Sequence, residues 1–138
     1  MGFGLPAAVG VKVGCPDETV WCIDGDGGFQ SSLRELGTIV QEGLGVKIVI
    51  INDRRHADTP LSGPDFVELA AAYGIPGLRV ERREGVAPAI ERALDEDGPF
   101  LIDFVVEPEE DVYPMVPPGA SLAEVMEEPV GEEVSAWR

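Results

Sequence analysis

Val46-Lys47-Ile48-Val49-Ile50-Ile51-Asn52-Asp53 is the segment that most narrows the architecture of this chain: a nearly continuous apolar run closed by two oxygen-bearing side chains. A strand of that composition is buried on both faces, as in the middle of a parallel sheet covered by helices above and below. Its Asn-Asp end then lies at the carboxyl edge of the sheet, where open α/β folds place ligands in the crevice beyond the strands.

About two dozen residues earlier, Thr19-Val20-Trp21-Cys22-Ile23-Asp24 reads as a second strand that runs through Gly25-Asp26-Gly27-Gly28 into a helix. A glycine turn lets backbone N–H groups approach a phosphate closely, and a helix N-terminus favours negative charge. Asp26 alone would repel that phosphate. A divalent cation between the two turns the carboxylate into a ligand, and hard oxygen donors suit magnesium or calcium. If the two strands are parallel neighbours, Asp26 and Asn52 meet at their ends. The bland alternatives are an Asx-type hydrogen bond for Asp26 and a turn-forming role for Asn52.

The rest of the chain alternates in the same way. Helices are expected over 5–13, 29–42, 64–74 and 86–94, and strands over 19–23, 46–51, 78–81 and 100–106. Pro6 is tolerable only in a first turn, and Gly74 is a plausible helix stop. This order implies an α/β fold, a parallel β-sheet with helices on both faces. After Glu107 the composition turns to Pro and Glu, so residues 1–107 form the α/β domain and 108–138 a Pro-rich C-terminal extension. Within that extension 121–126 suits one or two helical turns.

Composition excludes some functions. A formal charge of -16, from 26 acidic and 10 basic residues, argues against nucleic acid or an anionic membrane as partner. It fits either a salt-adapted surface or ordinary acidity spread over the exposed faces. No apolar run reaches the roughly 18 residues of a membrane span, and no signal peptide is recognisable. Cys15 and Cys22 form no CxxC pair and read as reduced core thiols. His56, the only histidine, has no nucleophile pattern around it. Asp24 reads as a support for the turn, and Trp21 and Phe29 as core or interface aromatics. A dinucleotide fingerprint starting at Gly25 would need glycine at position 30, where Gln30 stands, and Gly-Lys-Ser/Thr occurs nowhere.

Gly25-Asp26-Gly27 followed by Asn52 resembles the thiamine-diphosphate motif, GDG with NN some 24 to 27 residues later. Met1-Gly2-Phe3-Gly4-Leu5-Pro6-Ala7-Ala8, Pro64-Asp65-Phe66-Val67-Glu68-Leu69-Ala70 and Val112-Tyr113-Pro114-Met115-Val116-Pro117-Pro118-Gly119-Ala120-Ser121 further resemble the large catalytic subunit of acetolactate synthase. The resemblance implies the thiamine-diphosphate-binding domain fold. It implies magnesium held by Asp26 and Asn52, and a diphosphate approached by Gly25, Gly27 and Gly28. Met1 would lie against the aminopyrimidine side. Asp53 stands where the family has its second Asn, either as a metal ligand or as the far side of a gap.

For the whole enzyme the resemblance implies condensation of pyruvate with a second 2-oxo acid, pyruvate or 2-oxobutyrate, with loss of CO2 in branched-chain amino-acid biosynthesis. FAD would sit in a domain not represented here. Catalysis would need a pyrimidine-binding domain of a partner subunit, within a cytoplasmic homo-oligomer that can carry a regulatory subunit. Another thiamine-dependent carboligase or oxidase, or an inactive stand-alone cofactor-binding module, are the alternatives. Two whole domains would precede Met1, making it an artificial or broken start. Some 20 family residues are missing between Asn52 and Arg54, so a chain gap, a deletion or a shortcut loop is expected at 52–54.

Overall fold

A computed structural model describes residues 1–53, 55–56, 59–60, 63–107 and 114–127, with backbone only at 55–56 and 59–60. The chain divides into two units, Met1–Pro108 and Glu109–Arg138.

The first unit is built on β1 (Val20–Gly25), β2 (Val46–Asn52), β5 (Gly77–Val80) and β6 (Phe100–Val105), in the order β1-β2-β6-β5 with every pairing parallel. Between β2 and β5 a two-residue ladder joins β3 (Arg55–His56) to β4 (Thr59–Pro60). The helices are α1 (Gly4–Gly14), α2 (Asp26–Gln30), α3 (Glu35–Gln41), α4 (Phe66–Ala72) and α5 (Val86–Leu94). The connections from β1 to β2 and from β2 to β5 move one way across the sheet and put α2, α3 and α4 on one face. β5 to β6 steps back and puts α5 on the other face, as a single handedness of crossover requires.

Two apolar layers follow from this arrangement. Leu5, Phe29, Leu36, Ile39, Phe66 and Ala70 pack on Cys22, Ile48, Ile50 and Leu101. Phe29 and Phe66 meet edge to face, with ring centroids 5.6 Å apart. On the opposite face Ala89 and Ala93 of α5 pack with Val49, Val80, Phe100 and Ile102. β2 is therefore buried on both sides, with only Ile51 exposed among its seven residues. The expected sheet and its two-sided helical cover are both present.

Most bounds differ by a residue or two, and two differences have a clear local cause. The single helix expected over 29–42 is two helices, α2 and α3, because the chain turns through three-residue hydrogen bonds from Ser31 N to the Gly28 carbonyl and from Ser32 N to the Phe29 carbonyl. Leu36 and Ile39 are buried on the apolar side of α3, while Val40 is exposed. α4 begins after Asp65, not at Pro64, since the Asp65 carboxylate accepts the Val67 and Glu68 N–H groups as an N-cap. Gly74 ends this region at φ 76°, a left-handed conformation that glycine adopts without steric cost.

In the second unit Met115 and Met126 exchange two backbone hydrogen bonds of 3.0 and 2.8 Å. Between them a 3₁₀ turn, Leu122–Glu124, is held by a capping box with Ser121. The expected helical stretch is reduced to this one turn. No helix among the described residues is long and apolar enough to cross a membrane.

The cysteines part company. Cys22 is buried in the core, but Cys15, at the C-cap of α1, is exposed and is no core thiol. Burial, and then the charge of Asp24, push the Cys22 thiol up to about 11. At pH 8 a thiol-disulfide reagent is expected to label one cysteine per native chain and two after denaturation. Two reactive thiols in the native chain would contradict the packing of Cys22.

Candidate thiamine diphosphate and metal site

Gly25 pairs with Ile51 in the β1–β2 ladder, so the next residues, Asp26 and Asn52, stand side by side at the carboxyl edge. Both are buried, at 5% and 7% exposure. Two buried polar side chains at adjoining strand ends must be hydrogen-bonded, because an unsatisfied buried polar atom is costly. Asp26 Oδ1 accepts from the Gly27 N–H at 2.7 Å, and Asn52 Nδ2 donates to Asp103 Oδ1 at 2.9 Å. Asp53 follows, half-buried.

The glycine turn is not left-handed. Gly25 is extended, with φ −77° and ψ 160°, and a Cβ added there would meet nothing within 4 Å. The space in front of it is open to a ligand. Gly28 is glycine for a different reason. A Cβ there would sit 2.2 Å from Asp24 Oδ1, so Asp24 occupies the room that a side chain would take. Asp24 does support the turn, since its Oδ1 accepts from the Gly25 N–H at 2.9 Å. Its Oδ2 lies against Gly4, where an added Cβ would be 2.8 Å away. Gly2 likewise faces Ser31, with its virtual Cβ 3.0 Å from Ser31 Cβ. The glycines of Met1-Gly2-Phe3-Gly4 thus let the start of the chain lie against the GDG turn and α2. Met1 itself is 80% exposed.

Asp103 and Arg79 escaped the sequence reading. Asp103 sits in β6 at 0% exposure, and its Oδ2 accepts from Arg79 Nε at 2.8 Å. Arg79 also reaches Asp65 Oδ1 at 3.1 Å. The hydrogen bond to Asp103 raises the Arg79 pKa, while the Glu68 N–H and the nearby guanidinium hold Asp65 below the usual carboxylate range. The signal was present: an acid inside Phe100-Leu101-Ile102-Asp103-Phe104-Val105 demands a charge partner. Lys47, the other charge in a core strand, binds the carbonyls of Glu96 and Gly98 and so clamps the turn before β6.

The donor set suits magnesium that shares its coordination with phosphate. Among the described residues no three His, Cys, Asp or Glu side chains converge into a metal cage. Two oxygen-bearing side chains beside an open glycine turn are instead what magnesium needs when phosphate oxygens and water complete the shell. The junction expected at 52–54 is described only in part: Arg54 lies outside the described residues, as do 57, 58, 61 and 62, and the His56 side chain.

Comparison with known proteins accords with this geometry. Residues 1–104 match the family model described as "Thiamine pyrophosphate enzyme, C-terminal TPP binding domain". The acetolactate synthase isozyme 2 large subunit of Escherichia coli (strain K12) is 41% identical over 143 residues, covering 92% of this chain and 26% of that protein. Acetolactate synthase of Arthrospira platensis is 43% identical, over 91% of this chain and 25% of that protein. Acetolactate synthase 2, chloroplastic, of Nicotiana tabacum is 39% identical over 151 residues, with 93% and 23% covered.

The solved Rhodococcus jostii RHA1 thiamine diphosphate-dependent 4-hydroxybenzoylformate decarboxylase superposes with a TM-score of 0.72 at 32% identity, over 80% of this chain and 24% of that one. This chain spans about a quarter of the length of these relatives. Matched stretches of 143 and 151 residues exceed the 138 of the whole chain, so the relatives carry residues within the match that this chain lacks. The chain belongs to the thiamine pyrophosphate enzyme family as its C-terminal TPP binding domain, and it is homologous to acetolactate synthase large subunits.

Proposed function

We propose that this domain anchors the diphosphate of thiamine diphosphate through magnesium, as the cofactor-binding part of an acetolactate synthase. The observation that carries the proposal is the buried pair Asp26 and Asn52 at the ends of paired parallel strands. Asp26 and Asn52 contribute side-chain oxygens to the metal, and Asp53 is the adjoining candidate ligand. Gly25, Gly27 and Gly28 bring backbone close to the phosphates, with Met1 on the aminopyrimidine side. Thiamine diphosphate supplies the electron sink that lets a 2-oxo acid lose CO2. The residues of this chain bind and orient; none is assigned a proton-transfer role.

In the whole enzyme the reaction is condensation of two pyruvates, or of pyruvate and 2-oxobutyrate, toward branched-chain amino acids. The pyrimidine half of the cofactor falls to a partner subunit's domain in a cytoplasmic homo-oligomer. FAD and any regulatory subunit belong to other parts of that assembly. The residues that the relatives carry in excess are placed here after Asn52, where they would shield the reacting carbon from water.

The 138-residue chain alone is accordingly expected to form no acetolactate from pyruvate, whereas the enzyme containing it forms acetolactate. A colorimetric acetolactate assay on both reads this directly. Robust product from the isolated chain would sink the division of labour, and free aldehyde without acetolactate from the whole enzyme would favour a decarboxylase.

A further inference from the structure

We infer that Asp103 is a positioning residue for Asn52, at the end of a hydrogen-bonded chain Asp65–Arg79–Asp103–Asn52 that fixes which end of the Asn52 amide faces the metal; the inference rests on the reading of Asn52 as a metal ligand.

An asparagine amide offers an oxygen at one end and an NH2 at the other, and only the oxygen binds magnesium. Nothing in the amide's shape selects between them, so the choice falls to its hydrogen-bond partner. Here the partner is a carboxylate whose other oxygen accepts from Arg79, so that it faces Asn52 as an acceptor. Asp103 Oδ1 takes Asn52 Nδ2 at 2.9 Å, which sends the amide oxygen to the other side.

Asp103 is itself held from behind. Its Oδ2 accepts from Arg79 Nε at 2.8 Å, and Arg79 pairs across the ladder with Asp103 in register. The Arg79 guanidinium continues to Asp65 Oδ1 at 3.1 Å, and that same oxygen accepts the Val67 and Glu68 N–H groups at 3.0 and 3.1 Å. The start of α4 is therefore tied through three side-chain contacts to the end of β2. This also gives the Pro64-Asp65-Phe66 run a task at the site that its position in the sequence does not reveal.

Asp103→Asn tests the claim because it keeps shape and reverses polarity. Arg79 then takes the new amide oxygen, the new NH2 faces Asn52, and Asn52 must turn its own oxygen inward. The magnesium concentration giving half-maximal thiamine diphosphate binding to the full chain is expected to rise ~10- to 100-fold. The exchange Asn52→Asp with Asp103→Asn restores a donor facing an acceptor. It is expected to bind magnesium at least about tenfold better than either single variant, which a merely structural role would not produce.

Asn52→Ala separates the two layers of the argument. If it leaves the magnesium requirement unchanged, the ligand reading fails and the positioning claim falls with it. If it raises the requirement while Asp103→Asn does not, the positioning claim alone is overturned. Should Asp103→Asn not fold, the exchange pair is compared with Asn52→Asp. In the unaltered chain the Asn52 side-chain NH2, assigned by nuclear magnetic resonance from its loss in Asn52→Ala, is then expected to stay protected from solvent exchange with magnesium and cofactor bound. Free exchange there would overturn the proposal.

Discussion

Asp26→Ala is expected to remove the stabilisation that magnesium and thiamine diphosphate together confer on this chain, while leaving the ligand-free fold nearly as stable as before. A ligand held at 100 times its dissociation constant stabilises the folded state by about 2.7 kcal/mol. Loss of a metal-bridging carboxylate weakens binding by more than about 100-fold, enough to abolish most of that gain. The ligand-free cost is expected to be smaller, on the order of 1 kcal/mol for the hydrogen bond that Asp26 accepts from the Gly27 N–H. Thermal unfolding with and without both ligands reads the two effects separately. An undiminished ligand-induced shift in the variant would remove Asp26 from the metal site.

Arg79→Met is expected to destabilise the chain itself by about 3 kcal/mol in urea unfolding. Asp103 has no exposure, and Arg79 is the cation that neutralises it at 2.8 Å. Removing that cation leaves an uncompensated charge in the sheet, which costs more than the intact pair contributes. The double variant Arg79→Met with Asp103→Leu is expected to be more stable than Arg79→Met alone, since the buried charge is gone. Recovery stays partial because Asn52 Nδ2 and Asp65 both lose a partner. Equal stability of the single and double variants would mean that the buried charge is not the cause.

The sheet was legible because its strands differ in composition for a physical reason. β2 is apolar on both faces and is covered on both faces, and the acidic glycine turn marked where β1 would end. The strand ends that meet at Asp26 and Asn52 followed from those two readings. The break between α2 and α3 was not legible. Ser31-Ser32-Leu33-Arg34 contains neither Gly nor Pro, and Phe29 and Leu36 are buried on either side of the turn, so helical spacing runs through it unbroken. Asp103 was visible as an acid in an apolar strand, but its partners lie 24 and 51 residues away, and only the strand order brings them together. The role of Gly4 was hidden for a related reason, since it makes room for Asp24 from a separate element, whereas Gly28 does so from the helix that directly follows β1.

Calorimetric titration of the chain with thiamine diphosphate, once in saturating magnesium and once in chelator, decides whether a metal bridges the diphosphate to the protein. The buried Asp26 and Asn52 pair predicts tight binding with magnesium and little or none without it. Equal affinity in the two titrations would contradict the bridging metal and, with it, the site proposed here.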